Sequence, residues 1–187
     1  MKTYKIKIEG LSPLLHHGSQ AVGMDEESTK KKGGNALLGD CDEWKKTIYY
    51  DEDNGVYLPS INLEATFIEG AKQFKVGRGS ASKYFKSGVF IQDFICPLYV
   101  NGKIIMDLND VEIDKRTVKN PSTKGRNMRY RAIFKNWSSE IIINVNSDDY
   151  VSDKMLKEVI EYSGLFVGVC DFRPRFGRFK LTSFEQI

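Results

Sequence analysis

His16 and His17 are the only histidines in the 187-residue chain, and histidine is the side chain whose ordinary pKa suits proton transfer near neutrality. They are adjacent, so on a strand they would point to opposite faces, and a metal site would need ligands from elsewhere. Three cysteines, Cys41, Cys96 and Cys170, lie far apart without a C-x-x-C spacing. That argues against a zinc site or a disulfide scaffold and suits a reducing compartment, the cytoplasm. Asp51-Glu52-Asp53 and Asp148-Asp149 read as turns, and no carboxylate pair has metal-nuclease spacing. Gly77-Arg78-Gly79-Ser80-Ala81-Ser82 lacks the phosphate-loop spacing and follows a helix, not a strand. The expectation is therefore no metal and no cofactor.

Charge is the stronger signal. The chain has 28 basic and 25 acidic residues, a formal net charge of +3, which by itself says little about partners. Yet 17 of the 28 cations fall in three windows without an acid, at 71–92, 115–139 and 172–180, while nine acids crowd residues 25–54. Basic windows attract phosphates, because each cation that neutralises one releases condensed counterions. Tyr130, Phe134 and Trp137 interleave with the second window, and Phe172, Phe176 and Phe179 with the third. Aromatic rings among cations offer stacking to unpaired bases. A buried aromatic stripe beside a solvated basic face is the other reading of the same pattern.

The elements that must carry these residues can be read from periodicity. Tyr4, Ile6 and Ile8 alternate with Lys5, Lys7 and Glu9, a strand with one buried face. Residues 18–46 read as a long glycine-interrupted loop. Residues 48–50 and 56–58 flank a hairpin turn ending in Asn54-Gly55. Ser60 is placed as the N-cap of a helix over 60–74, with Gly70 allowing close approach to a sheet. Residues 81–87 add a helical turn, 89–100 are strand-like, and Asn101-Gly102 marks a turn. Strands follow at 127–135 and 139–146, paired as a hairpin, then a Ser152-capped helix over 152–163 stopped by Gly164, and a strand at 178–185. The strongest elements give β-α-β-β-α-β, an α+β ferredoxin-like (RRM-like) core whose antiparallel sheet carries its helices on one face. At 41% hydrophobic residues the chain is no disordered polymer. No apolar run reaches about 18 residues, and the N-terminus lacks a signal-peptide core.

Three segments together resemble the RAMP superfamily, the ferredoxin-fold proteins of CRISPR RNA-binding backbones and CRISPR RNA-processing enzymes. Ile6-Lys7-Ile8-Glu9-Gly10-Leu11-Ser12-Pro13-Leu14-Leu15 is similar to that family's first strand and Ser/Thr-Pro-Leu turn. Val56-Tyr57-Leu58-Pro59-Ser60-Ile61-Asn62-Leu63-Glu64-Ala65 is similar to its first helix start. Gly168-Val169-Cys170-Asp171-Phe172-Arg173-Pro174-Arg175-Phe176-Gly177-Arg178-Phe179 is similar to the glycine-rich loop before its last strand. Glu64, Ala65 and Arg175 depart from the family pattern, the last adding a guanidinium that can grip phosphate. The resemblance implies one RAMP-like domain over 1–187, a diverged solitary member with insertions at about 18–58 and 76–126.

The expectation that follows is a non-catalytic binder of single-stranded or guide-like RNA, or of single-stranded DNA, of the CRISPR-backbone type. It would self-assemble along the nucleic acid or join a multisubunit complex, away from membranes. Arg126, Arg129, Arg131, Arg173, Arg175 and Arg178 would hold the backbone, Lys72, Lys75 and Lys83 would extend the track, and Tyr130 and Phe176 would stack. In RAMP ribonucleases a histidine in this neighbourhood acts on the 2′-hydroxyl, so the alternative is a metal-independent endoribonuclease using His16 or His17 with Tyr130 and Arg175. A third reading is a protein-interaction module or virus-encoded mimic that engages a CRISPR effector.

Overall fold

The computed structural model describes residues 1–18, 43–119, 124–146 and 150–187. The nine acids counted above lie partly outside these ranges, as do most of the 18–46 loop, Cys41 and Asp148-Asp149. Strand β1 (Lys2–Gly10) buries Tyr4, Ile6 and Ile8 and turns Lys5, Lys7 and Glu9 outward. After the turn at 11–13 come β2 (Leu14–Leu15), helix α1 (Glu43–Thr47) and the hairpin β3 (Tyr50–Asp51) and β4 (Gly55–Pro59). Helix α2 (Ser60–Ala71) leads to a small hairpin, β5 (Lys75–Val76) and β6 (Gly79–Ser80), and to α3 (Ser82–Gly88). Short strands β7 (Val89–Ile91), β8 (Ile95–Pro97), β9 (Tyr99–Val100) and β10 (Lys103–Ile104) follow. The long strands β11 (Glu112–Lys119), β12 (Arg126–Phe134) and β13 (Trp137–Val145) precede α4 (Asp153–Tyr162), a π-helical turn (Ser163–Val167) and β14 (Phe179–Gln186).

The main sheet runs β10-β9-β13-β1-β14, with β7 also on β13, and its pairings are antiparallel. Leu63 and Phe67 of α2 and Leu156, Val159 and Ile160 of α4 join Tyr4, Ile6, Ile8, Ile141, Ile143 and Val145 in one core. This is the α+β ferredoxin-like arrangement, helices on the buried side and charges on the other.

One strand of that core differs from the sequence reading. Among the described residues β12 pairs with β11 and β2 in a separate sheet, and β13 pairs with β1, β7 and β9. The two are not the expected hairpin, and the remaining core strand comes from 89–100. Val89 and Ile91 are buried around exposed Phe90, whereas 126–130 offers Arg126 and Arg129, which no apolar layer would accept. Smaller corrections have local causes. Ser60 is the first helical residue, its N–H donating to the Phe94 carbonyl (3.0 Å), and Pro59 takes the cap position. Gly70 approaches Ser163 rather than a sheet, for a Cβ there would lie 2.0 Å from Ser163 Oγ. The second helix continues past Gly164 as the π-helical turn and is stopped by Gly168, at φ 75°. The Ser152 cap does form, accepting from Met155 N–H at 3.2 Å.

Candidate nucleic-acid interface

The ribbon of β11 and β12 has two unlike faces. Cross-strand partners share a face in an antiparallel pair. The register Lys115↔Tyr130, Thr117↔Met128 and Lys119↔Arg126 defines one, and Asp114↔Arg131 and Arg116↔Arg129 the other. No residue of β11 is buried. On the outer face the Lys115 ammonium lies 5.4 Å from the Tyr130 ring centre. Lys119 and Arg126, both exposed, stand directly opposite each other. Like charges so placed oppose the pairing, and an anion between them would relieve it. The outer face carries no acid between 115 and 130.

The inner face packs on the glycine-rich loop, residues 168–178. Arg116 pairs with Asp114 and its guanidinium lies 4.7 Å from the Phe176 ring centre. Arg131, only 5% exposed, forms an ion pair with Asp171 at 3.0 Å. The loop is tied down elsewhere too. Gly177 N–H donates to Pro13 O (2.9 Å), Asp171 N–H to Leu15 O (3.1 Å), and the Thr66 hydroxyl to Gly168 O (3.0 Å). Gly177, at φ 72°, admits no side chain, since a Cβ would meet Val169 O at 1.9 Å. Held this way, the loop exposes Arg173, Arg175 and Arg178, together with half-exposed Phe172.

The nucleic-acid-binding residues expected from sequence therefore divide. Arg126 and Tyr130 share one ribbon face, exposed at Arg126 and half-buried against the core at Tyr130, and Arg173, Arg175 and Arg178 stand on the loop. Arg129 lies on the inner face with Arg131, which is buried and points at a carboxylate, away from solvent. Phe176 is buried beneath Arg116, so the ring open to a base is Phe172, 5.6 Å away from it. The signal for Phe172 was its place among the arginines. Strand register, which sorts one arginine from the next, was not readable without the pairing partner. Lys72 pairs with Glu69 (2.5 Å) at the end of α2, Lys75 begins the β5–β6 hairpin, and Lys83 covers the Tyr84 ring at 4.6 Å. A cleft of about 430 Å³ between Arg173-Pro174 on one side and Glu69 of α2 and Gln73 just after it on the other lies between the loop and that lysine group.

The histidines also part. His16 is fully buried, edge-on to Tyr49 and Phe134, and its Nδ1 accepts from Tyr49 N–H at 3.4 Å. Burial lowers its pKa to about 3, so it is neutral at physiological pH and shielded from any strand on the surface. That removes it as an exposed acid–base group. His17 is half-buried and lines a pocket of about 170 Å³ with Tyr49, Asn62, Cys170, Asp171 and Arg173. Tyr130 is not part of that pocket. Burial pushes the Cys96 and Cys170 thiols up to about 12, which makes them poor nucleophiles. Among the described residues no cluster of three His, Cys, Asp or Glu could hold a metal, and no helix is long and apolar enough to cross a membrane.

No family model matches the chain, and no curated protein matches it in sequence. Solved structures do match in shape. The chain is similar to one in the cryo-EM structure of the type III-B Cmr-beta bound to cognate target RNA, with a TM-score of 0.52 and 13% identity. The superposition covers all of this chain and 60% of that one, so the present chain spans well under two thirds of its neighbour. At that identity the likeness is one of fold: the ferredoxin-like core described above also occurs in a chain of the Cmr-beta structure.

Proposed function

We propose that the chain binds single-stranded or guide-like nucleic acid, RNA in the first place, without cleaving it. In this reading residues 1–187 form one RAMP-like domain of the CRISPR-backbone type, acting in the cytoplasm and joining its own copies or a multisubunit complex along the strand. The carrying observation is one face of the ribbon, where Lys115, Lys119 and Arg126 stand with no acid among them and Lys115 lies over the half-buried Tyr130 ring. The loop arginines Arg173, Arg175 and Arg178 extend that surface, and Phe172 supplies a second ring for stacking. The fold shared with a chain of the RNA-bound Cmr-beta structure is consistent with this use.

The test is a salt titration of binding to a labelled 20-nucleotide RNA, followed by fluorescence anisotropy. Binding that weakens linearly in log[salt], and that falls in Arg173→Ala/Arg175→Ala/Arg178→Ala, is expected. No binding, or affinity indifferent to salt, overturns the proposal. The same RNA incubated in EDTA should stay intact. Cleavage lost in His17→Ala would establish the endoribonuclease reading instead.

A further inference from the structure

The pocket at His17 is chemically unlike the surface beside it. Its wall is mostly neutral and polar. Burial raises the Tyr49 pKa, so its phenol keeps its proton, and the Cys170 thiol stays protonated for the same reason. The Asn62 amide reaches Cys170 Sγ at 3.6 Å. His17 Nδ1 is cut off from solvent and has no hydrogen-bond partner among the described residues, so the half-buried ring can meet a ligand only through its other atoms. Asp171 contributes a carboxylate, positioned by Arg131 at 3.0 Å. One cation, Arg173, stands at the pocket, exposed on the loop.

This combination discriminates between ligands. A phosphate seated inside would face the Asp171 carboxylate as well as Arg173, so the interior is not an anion cradle. A planar heterocycle with donors and acceptors on its edge meets complementary groups on His17, Asn62 and Asp171, while Arg173 remains outside for the phosphate attached to it. We propose that the pocket takes one nucleobase, turned out of the bound strand, with its phosphate on Arg173. The inference rests on the single-strand reading above and adds a place where the strand's sequence is read. The carboxylate also sets the direction of choice. It accepts from the exocyclic amino group of cytosine, where uracil presents a carbonyl at the same ring position, so a cytosine strand is favoured over a uracil one.

Anisotropy with (C)12 and (U)12 RNA at one fixed salt concentration tests this. The wild-type chain should bind (C)12 about tenfold more tightly. Ala65→Phe, which fills the pocket from the exposed side of α2, should bring (C)12 to the affinity of (U)12 while leaving the salt slope unchanged. Asn62→Leu should reduce the preference without blocking the opening. Equal wild-type affinity for the two strands, or a preference that survives both substitutions, overturns the pocket and leaves strand binding standing. Failure of the wild-type chain to bind either strand overturns the single-strand reading itself.

Discussion

The outer face of the main sheet and the outer face of the ribbon are both strewn with cations, and they differ in what those cations already hold. On the sheet, Lys5 and Lys7 each lie 3.5 Å from Glu140, and Lys180 is 3.3 Å from Glu9. On the ribbon, Lys119, Lys124 and Arg126 form no ion pair among the described residues. A lysine that already has a carboxylate releases few counterions when a phosphate arrives, and an unpaired one releases its share. Counting basic residues therefore overstates the sheet and understates the ribbon. On the proposed reading stability rests in one region and binding in the other, and each half can be broken separately.

The largest effect belongs to the sheet. Trp137 is 2% exposed, donates its indole N–H to Ser12 O at 2.9 Å, and packs edge-on to Phe179. Trp137→Ala should cost about 3–5 kcal/mol in urea denaturation. A loss below 1 kcal/mol would mean that the core lies elsewhere. Arg131 sits in the ribbon yet should behave like the sheet. Removing it strands Asp171, so Arg131→Ala should cost about 2 kcal/mol; a neutral substitution would return Arg131 to the surface cations.

His16 marks the seam between the regions, its N–H donating to Ala132 O of β12 at 3.1 Å. Its folded pKa of about 3 lies below the ordinary 6.5, so between those values the unfolded chain binds the extra proton. Stability from this group is complete above pH 6.5 and is lost as pH falls toward 3, at about 1.4 kcal/mol per pH unit. His16→Phe, which preserves the ring packing, should show a flatter stability profile between pH 6.5 and 5. An identical slope in both proteins would refute the buried neutral imidazole.

The smallest change in stability, within about 0.5 kcal/mol, is expected for Lys119→Ala/Lys124→Ala/Arg126→Ala. In the same protein the salt slope of RNA binding should flatten by about 2, three single-strand contacts' worth. Lys5→Ala/Lys7→Ala should leave the slope nearly as it was. A larger flattening from the sheet pair than from the ribbon set would invert the comparison.

Much of the sheet was legible because burial writes a periodic signature. Tyr4, Ile6 and Ile8, the strand expected over 139–146, and the Ser152 cap all have local causes, although Trp137 belongs to that strand and not to a turn before it. The Asn101-Gly102 turn is one more, with both residues at positive φ, 51° and 80°. The ribbon was legible in composition and not in use. Which arginine faces outward depends on β11 pairing with β12 in the register Lys119↔Arg126, a contact between distant segments that no window of sequence contains. Likewise Arg131 reads as one more surface cation until Asp171, forty residues on, is brought against it. The His17 pocket was missed for the same reason. Its lining comes from the turn after β2, the segment before β3, α2 and the glycine-rich loop, and of these residues only His17 and Arg173 stood out in the sequence.

The opposed charges at Lys119 and Arg126 have one more consequence, for what ionic strength does to the protein alone. Added electrolyte screens their repulsion and steadies the pairing at the end of the ribbon, even as it competes with phosphate for the same side chains. Salt thus improves the receptor while weakening the attraction. The measured slope will then be shallower than the true number of phosphates touched, and a protein with glutamine at both positions should bind weakly but report its remaining contacts faithfully.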